Sequence, residues 1–269
     1  MSSYRSIDGL RVTLDGTVLH VELDRPEQRN AITDEMIDVL IEGVEQAGQD
    51  EAVWVIVLSG AGEHFCAGAD LVAKNPSGER RPRVGSIQRR VATTAHRLIP
   101  ALLTVQTPVV CRVQGWAAGI GLHLAVAADF AVVADDARLW EPFAARGFTP
   151  DSGGTWLLPR RVGEVRAREM LLLGRRLTGA EAAEWGLVHR AVPEAALDGA
   201  VEELVARIAT GPTVALGLTK WLLHAGAAQP LDAQLRDEAF ALELSSRSED
   251  FREGLAAFRE HRDPHFEGR

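Results

Sequence analysis

The sequence predicts an α/β protein with one main body and a helical region appended to it. Continuous apolar runs, typical of strands covered on both faces, alternate with amphipathic segments over the first two thirds of the chain. After Pro193 the pattern is almost entirely helical, with breaks just before Pro212 and Pro230. The 269 residues, 46% of them hydrophobic, can bury a full core. We therefore expect a core over residues 1–205 and a C-terminal helical region over 206–269.

The first elements are a hairpin and a helix. Apolar and polar residues alternate at 11–14 and 18–23 around an Asp-Gly step, which predicts two antiparallel strands. Thr33 then stands where an N-cap residue belongs, so we expect an amphipathic helix over 34–47.

The middle of the chain alternates strands with helical or polar stretches. Apolar runs predict strands at 53–58, 109–113 and 130–134. A polar, proline-broken stretch at 74–83 predicts a loop, and a helix is expected over 86–105.

Two glycine-broken segments, 65–70 and 115–121, each follow a predicted strand and lead toward a helix. In α/β proteins such turns expose unpaired N–H groups, and glycine lets the backbone approach a ligand closely. The amides of Ala69 and Ile120, the second next to Gly119, are candidate donors to the oxygen of a reacting carbonyl group. Ordinary tight turns are the alternative. Neither segment completes a dinucleotide or phosphate-loop motif.

Through these two segments, together with other stretches along its length, the chain resembles the crotonase superfamily, also called the enoyl-CoA hydratase/isomerase family. The resemblance covers nearly the whole length and implies a β-β-α spiral fold. It also implies an acyl-CoA thioester as substrate, without a further cofactor. The matching stretches are 23–26 with Asn30 and Ala31, 65–71, 115–129, 150–155, 179–188, and 252–254 with Phe258.

The chain departs from the hydratases of this family at both of their paired glutamates. The first glutamate position is His123 and the second is Phe143, while Glu141 lies two residues before the second position. A two-residue shift near a helix N-terminus moves a side chain by several ångströms, about one helical turn. Paired glutamates that hold a water molecule are therefore not expected in the family's arrangement.

Asp151 is the carboxylate that the resemblance offers instead. Its stretch is similar to the isomerases of phenylacetate degradation that rearrange a ring-epoxide CoA ester, and residues 247–254 support the same subgroup. One base can remove a proton beside the thioester and return it elsewhere. Phe143, Phe148 and Trp156 would desolvate this carboxylate and make it a stronger base. The alternative, which does not exclude catalysis, is an N-cap for the helix that begins near residue 153.

His123 has two open interpretations. Near a helix N-terminus it could act as a neutral base or hydrogen-bond donor, or it could be a packed or substrate-facing spectator. The histidines show no metal-ligand spacing, so we expect no metal.

The resemblance also implies the residues that bind the carrier. Arg25 suits phosphate oxygens, and Arg29 could do the same or lie on a solvated surface. The family often has a lysine just after residue 71, where this chain has Val72, which puts a phosphate contact there in doubt. The implied substrate-binding residues are Arg25, Asn30, Ala31, Ala67, Asp70, Leu71, Gly119 and Phe143.

Composition bounds the partners and the compartment. A net charge of −9, from 29 basic and 38 acidic residues, argues against a nucleic-acid partner. No apolar run reaches bilayer length and residues 1–6 lack a signal-peptide core, so we expect no membrane association. Cys66 and Cys111 are expected to be reduced packing residues of a cytoplasmic protein. The resemblance implies a homotrimer or homohexamer assembled through the C-terminal helices.

Three functions follow as hypotheses. The first is an acyl-CoA double-bond or ring isomerase that uses Asp151. The second is an enoyl-CoA hydratase in which His123 with Asp151, or Glu141, replaces the paired glutamates. The third is an acyl-CoA binding protein that has kept the glycine-rich segments but has lost the groups for proton transfer.

Overall fold

The computed structural model describes residues 4–70 and 83–269, which form strands and helices in alternation. The strands are β1 (Leu10–Asp15), β2 (Val18–Leu23), β3 (Val55–Gly60), β4 (Val109–Val113), β5 (Trp116–Ala118), β6 (Phe130–Ala134), β7 (Arg138–Trp140), β8 (Leu177–Thr178) and β9 (Arg190–Val192). The helices are α1 (Asp34–Ala47), α2 (Ser86–Val91), α3 (Leu98–Thr104), α4 (Ile120–Ala127), α5 (Gly154–Leu173), α6 (Gly179–Glu184), α7 (Leu197–Ala209), α8 (Thr213–Gly226), α9 (Leu231–Ser245) and α10 (Glu249–Glu260). The predicted α/β class is confirmed.

The strands lie in two sheets. The larger sheet has the order β1-β2-β3-β4-β6-β9 and is parallel apart from the antiparallel β1–β2 pair. The smaller sheet has the order β5-β7-β8, with β5 and β7 parallel. Strands that are adjacent in the chain, such as β4 and β5 or β6 and β7, enter different sheets before the chain reaches the next helix. This repeat of strand, strand and helix is the expected spiral.

Local sequence signals at the start of the chain predict the observed elements closely. The hairpin pairs Leu10 with Leu23 and Asp15 with Val18, as the Asp-Gly step requires. Thr33 caps α1, because its side-chain oxygen accepts a hydrogen bond from the Met36 amide. The strand expected at 53–58 begins two residues later, at Val55.

The single helix expected over 86–105 is wrong. The chain forms α2, then a 3₁₀ turn at Ala95–Arg97, then α3. The backbone at Thr94 leaves helical geometry, with φ −125° and ψ −101°. Pro100 lies in the first turn of α3, where its missing N–H costs nothing, so the helix restarts there.

The C-terminal helices dock on the core through a buried ion pair. Lys220 of α8 is 2.7 Å from Asp129 and donates to the carbonyl oxygen of Thr107. Desolvation lowers the pKa of Lys220, and Asp129 opposes that shift. The predicted boundary at 205/206 falls inside α7, a helix that also contacts the large sheet, whereas the next break in helical structure is at 210–212.

Large apolar side chains remain exposed on the last helices. They are Leu223, Leu231, Leu235, Phe240, Leu242, Leu244, Phe251, Leu255 and Phe258. No helix within the described residues combines the length and apolarity needed to cross a membrane.

Candidate active site

The two glycine-broken segments lie side by side. The backbone of Cys66 pairs with β5: its amide donates to Trp116 at 2.8 Å, and its carbonyl accepts from the Ala118 amide at 2.9 Å. Behind them, Phe65 donates to Gln114 at 2.8 Å. The fold therefore brings the start of the first segment and the start of the second to one place, as the sequence predicts.

The two candidate amide donors are free of the local backbone pairing. Ile32 pairs with Ala69 through the carbonyl of Gly68 and the amide of Asp70, so the Ala69 amide points to the opposite side. Ile120 is the first residue of α4, where an N–H group has no partner within the helix. The positive end of the α4 dipole adds to the field at this amide. Both groups can therefore donate to a ligand oxygen.

Close contact between the segments requires glycine at position 121. A Cβ atom there would be 2.5 Å from the carbonyl oxygen of Cys66 and 2.8 Å from its Sγ. Gly119, just before the helix, has φ +53° and donates to the Trp140 carbonyl at 3.0 Å. These two glycines let α4 begin directly beside the first segment.

His123 is the central residue of a buried polar chain that sequence reasoning did not reveal. It lies one turn into α4 and is fully buried. Its Nε2 is 2.8 Å from Oε1 of Glu141, and its Nδ1 is 2.7 Å from the Ser152 hydroxyl. That hydroxyl is in turn 3.3 Å from Oδ1 of Asp151. We call these four residues the relay.

Aromatic rings cover one side of the relay. The Phe143 ring stacks on the His123 ring, with centroids 6.0 Å apart and planes inclined by 10°. Phe148 meets Phe143 edge-on at 5.3 Å. Gly154 leaves the space that His123 occupies, because a Cβ there would be 2.3 Å from Nε2. These rings therefore cover His123, whereas Asp151, the carboxylate that they were expected to desolvate, is exposed.

Asp151 is the exposed end of the relay. It does not cap α5, because the N-cap position is Gly153 and no side chain makes the capping hydrogen bond. The capping alternative is therefore wrong. Ser152 and Gly153, the two residues after Asp151, line a mainly apolar pocket of about 400 Å³. Its lining consists of Ala95, His96, Ile99, Pro100, Leu103, Ser152, Gly153, Trp156, Leu157 and His224.

The predicted carrier-binding residues lie along the first segment, from its start to its end. Arg25 donates to Asp70 at 3.0 Å and to the carbonyl oxygen of Ala31 at 2.7 Å. Asn30 is fully buried, and its amide atoms bond the backbone at Arg25, Ala61 and His64. The side chain of Asn30 therefore holds the loops together.

Two further predicted positions frame the same segment. The Ala67 amide donates to the carbonyl oxygen of Arg29 at 2.9 Å, so this backbone group is used within the protein. Leu71 and the predicted loop at 74–83, except residue 83, lie outside the described residues.

The cysteines near the site are packing residues, as expected. Cys66 and Cys111 are free and fully buried. Burial raises the pKa of the Cys66 thiol to about 12, so this thiol is protonated at neutral pH and is not a nucleophile. Across residues 4–70 and 83–269, His, Cys, Asp and Glu form no group of three or more that could hold a metal ion.

Sequence reasoning missed Ser152 and the partner of Glu141. Ser152 lies inside a quoted motif, yet its neighbours give no sign that its hydroxyl faces His123, 29 residues earlier. Glu141 was considered as a substitute for a catalytic glutamate, but it is buried against His123. The separation of 18 residues between His123 and Glu141 leaves no local pattern in the sequence that would reveal this pair.

Comparisons with known proteins show the family to which the chain belongs. The profile of the family described as enoyl-CoA hydratase/isomerase matches residues 13–269. A 1,2-epoxyphenylacetyl-CoA isomerase of Escherichia coli strain K12 is 38% identical over 94% of this chain and 95% of its own length. A protein of Rhodobacter capsulatus named probable enoyl-CoA hydratase is 38% identical over 93% and 94%. The crystal structure of an enoyl-CoA hydratase from Bacillus anthracis superposes with a TM-score of 0.89 at 31% identity, covering 97% of this chain and all of that chain.

These relatives are named for different reactions, so the comparisons identify the family and leave the reaction to the side chains of the site. The resemblance to the crotonase superfamily is thereby confirmed. The chain belongs to the enoyl-CoA hydratase/isomerase family of acyl-CoA-processing enzymes.

Proposed function

We propose that this enzyme shifts a double bond, or rearranges a ring, in an acyl-CoA thioester, with Asp151 as the base. The observation that carries the proposal is the exposed carboxylate of Asp151, which is hydrogen-bonded to a buried chain of polar side chains and directly precedes two residues that line an apolar pocket, Ser152 and Gly153. A lone carboxylate suits a reaction in which one group both takes and returns a proton.

The reaction would proceed through a thioester enolate. The amides of Ala69 and Ile120 would bind the thioester oxygen and stabilise the negative charge that develops on it. Asp151 would take a proton from the carbon next to the thioester, giving a dienolate and a neutral carboxyl group. The carboxyl group would then give a proton to the carbon at the far end of the dienolate, and because Asp151 is exposed this proton can exchange with solvent before it is delivered. The double bond moves, and no atom is gained or lost.

The pocket supports an uncharged acyl group. Its lining is mainly aliphatic and aromatic, with His96 and His224 as the titratable side chains. Its volume of about 400 Å³ accommodates a ring or a medium-length chain. A ring-bearing acyl group, as in the name of the E. coli relative, is therefore a candidate substrate. The CoA thioester is the substrate in this proposal, and no cofactor takes part.

The hydratase alternative has less support. Water addition in this family uses two carboxylates on opposite sides of one water molecule. Glu141 is fully buried and faces His123, and the second position is the ring of Phe143. Of these groups only Asp151 is exposed, which leaves a water molecule with one carboxylate.

Proton exchange in heavy water tests the proposed reaction. The wild-type enzyme is incubated with a 3-enoyl-CoA and, separately, with a 2-enoyl-CoA, and the products are analysed by NMR and mass spectrometry. We expect deuterium at the carbon next to the thioester together with migration of the double bond. Water addition without migration would instead favour a hydratase, and binding without any chemistry would favour the non-catalytic acyl-CoA binding protein.

The carrier-binding residues remain part of the proposal. Arg25, Ala31, Ala67 and Asp70 border the first segment and would lie along the pantetheine and adenine of CoA, with Arg29 near a phosphate. Gly119 and Phe143 would face the acyl group beside the second segment. Internal bonds already use one Nη atom of Arg25, which leaves its other guanidinium donors for an anion.

The assembly is proposed to be a homotrimer or homohexamer in the cytoplasm. The exposed apolar side chains of α8, α9 and α10 support burial against other copies of the chain. The two buried free thiols are compatible with a reducing compartment. Analytical ultracentrifugation at micromolar concentration should give a trimer or hexamer mass, and a strict monomer would contradict this assembly.

A further inference from the structure

The relay can be assigned proton by proton. A carboxylate that acts as a base is ionised and only accepts hydrogen bonds, so the Ser152 hydroxyl must donate its single proton to Oδ1 of Asp151. The serine oxygen can then only accept from its other neighbour. The 2.7 Å contact with His123 therefore requires a proton on Nδ1.

The contact between His123 and Glu141 is compatible with two protonation forms, and His123 carries a proton on Nδ1 in both. Either a His123 imidazolium faces an ionised Glu141, or a neutral His123 accepts from a protonated Glu141. The two forms differ by one proton moved across 2.8 Å, and both keep the proton on Nδ1. The direction of donation from His123 through Ser152 to Asp151 is the same in each.

The end of the relay formed by Glu141, its inner end, is buried away from solvent. The Glu141 side chain is 1% exposed, and among the described residues its Oε2 has no hydrogen-bond partner. His123 is sealed by Phe143 on one face and by the backbone at Gly154. A proton that arrives on Asp151 cannot leave through the relay, because Nδ1 already carries a proton and Glu141, at the inner end, is buried.

We propose that Glu141, His123 and Ser152 are positioning residues. They orient Asp151 as a base that takes up a single proton and does not pass it into the buried side of the relay. The Ser152 hydroxyl holds Oδ1 and leaves the other carboxylate oxygen to take the substrate proton. Once that proton is bound, the neutral carboxyl group accepts more weakly from Ser152, which favours the return of the proton to the substrate. This inference rests on the proposed role of Asp151 as the base.

The first test reads the protonation of His123 in the free enzyme. NMR of the full-length protein labelled with ¹⁵N-histidine reports which ring nitrogen carries a proton, and the His123→Gln spectrum identifies the signal among the eight histidines. We expect a protonated Nδ1 in the wild type. A bare Nδ1 would overturn the proposal, because Ser152 would then donate to His123 and leave Asp151 without its hydrogen bond.

The second test separates positioning from folding. We expect Ser152→Ala to lower kcat by about 10–100-fold, as for outer residues that orient a reacting group, with KM changed less than about threefold. Ser152→Thr keeps the hydroxyl and should restore most of kcat. Unchanged kcat in Ser152→Ala, at an unchanged melting temperature, would overturn the relay.

The two tests also distinguish failure of the relay from failure of the proposed function. If wild-type enzyme neither exchanges nor shifts protons on enoyl-CoA substrates, the proposed function fails, while the Nδ1 signal still reports on the hydrogen-bond order. If the wild type isomerises but Nδ1 is bare, only the relay fails.

Discussion

Asp151→Asn is expected to lower kcat for double-bond migration by about 10²–10⁴-fold, the usual contribution of a positioned acid–base group. The asparagine amide has almost the same shape and can still accept from Ser152, so the substrate should bind with a similar KM. It cannot take up a proton at neutral pH. Steady-state kinetics on a 3-enoyl-CoA, together with deuterium exchange beside the thioester, measure both effects.

A matched control separates the loss of a base from the loss of a charge. Asp15 lies in the exposed hairpin turn, where an Asn-Gly step is at least as favourable as the native Asp-Gly step. Asp15→Asn removes one negative charge and should leave kcat, KM and exchange unchanged. If Asp151→Asn still exchanged and isomerised at the wild-type rate, another group would be the base.

The elements that the sequence predicted well are those determined by short-range patterns. The β1–β2 hairpin follows from alternation around a turn dipeptide, and the start of α1 follows from one threonine. The two glycine-broken segments were located by the same kind of local signal. Their contact could be expected because parallel strands of one sheet deliver their following turns to a common edge.

The relay could not be predicted in this way. His123 lies 18 residues from Glu141 and 29 from Ser152, and no periodicity connects positions at those separations. These side chains meet because α4 packs against the turn before α5. That packing is a property of the folded backbone and not of any short stretch of sequence. The sequence therefore leaves both the spectator and the reactive interpretation of His123 open.

Gly121→Ala is expected to have the second large effect, because it separates the two amide donors. The new Cβ would lie 2.5 Å from the backbone oxygen of Cys66, a contact that no side-chain rotation can relieve. The start of α4 must therefore move away from the first segment, and the Ile120 amide moves with it. Removing one donor of such a pair costs about 10²–10³-fold in kcat.

Gly199→Ala provides the control for this substitution. Gly199 is an exposed position in α7 with open space around its Cα, so alanine should leave activity unchanged. It should also stabilise the helix by up to about 1 kcal/mol, which a small rise in melting temperature would reveal. Kinetics and thermal melts of both variants test the idea: wild-type kcat in a folded Gly121→Ala enzyme would show that the spacing of the two segments does not matter for the reaction. A site with paired donors requires that Gly121→Ala lose kcat at a temperature where the thermal melt shows the variant to be folded.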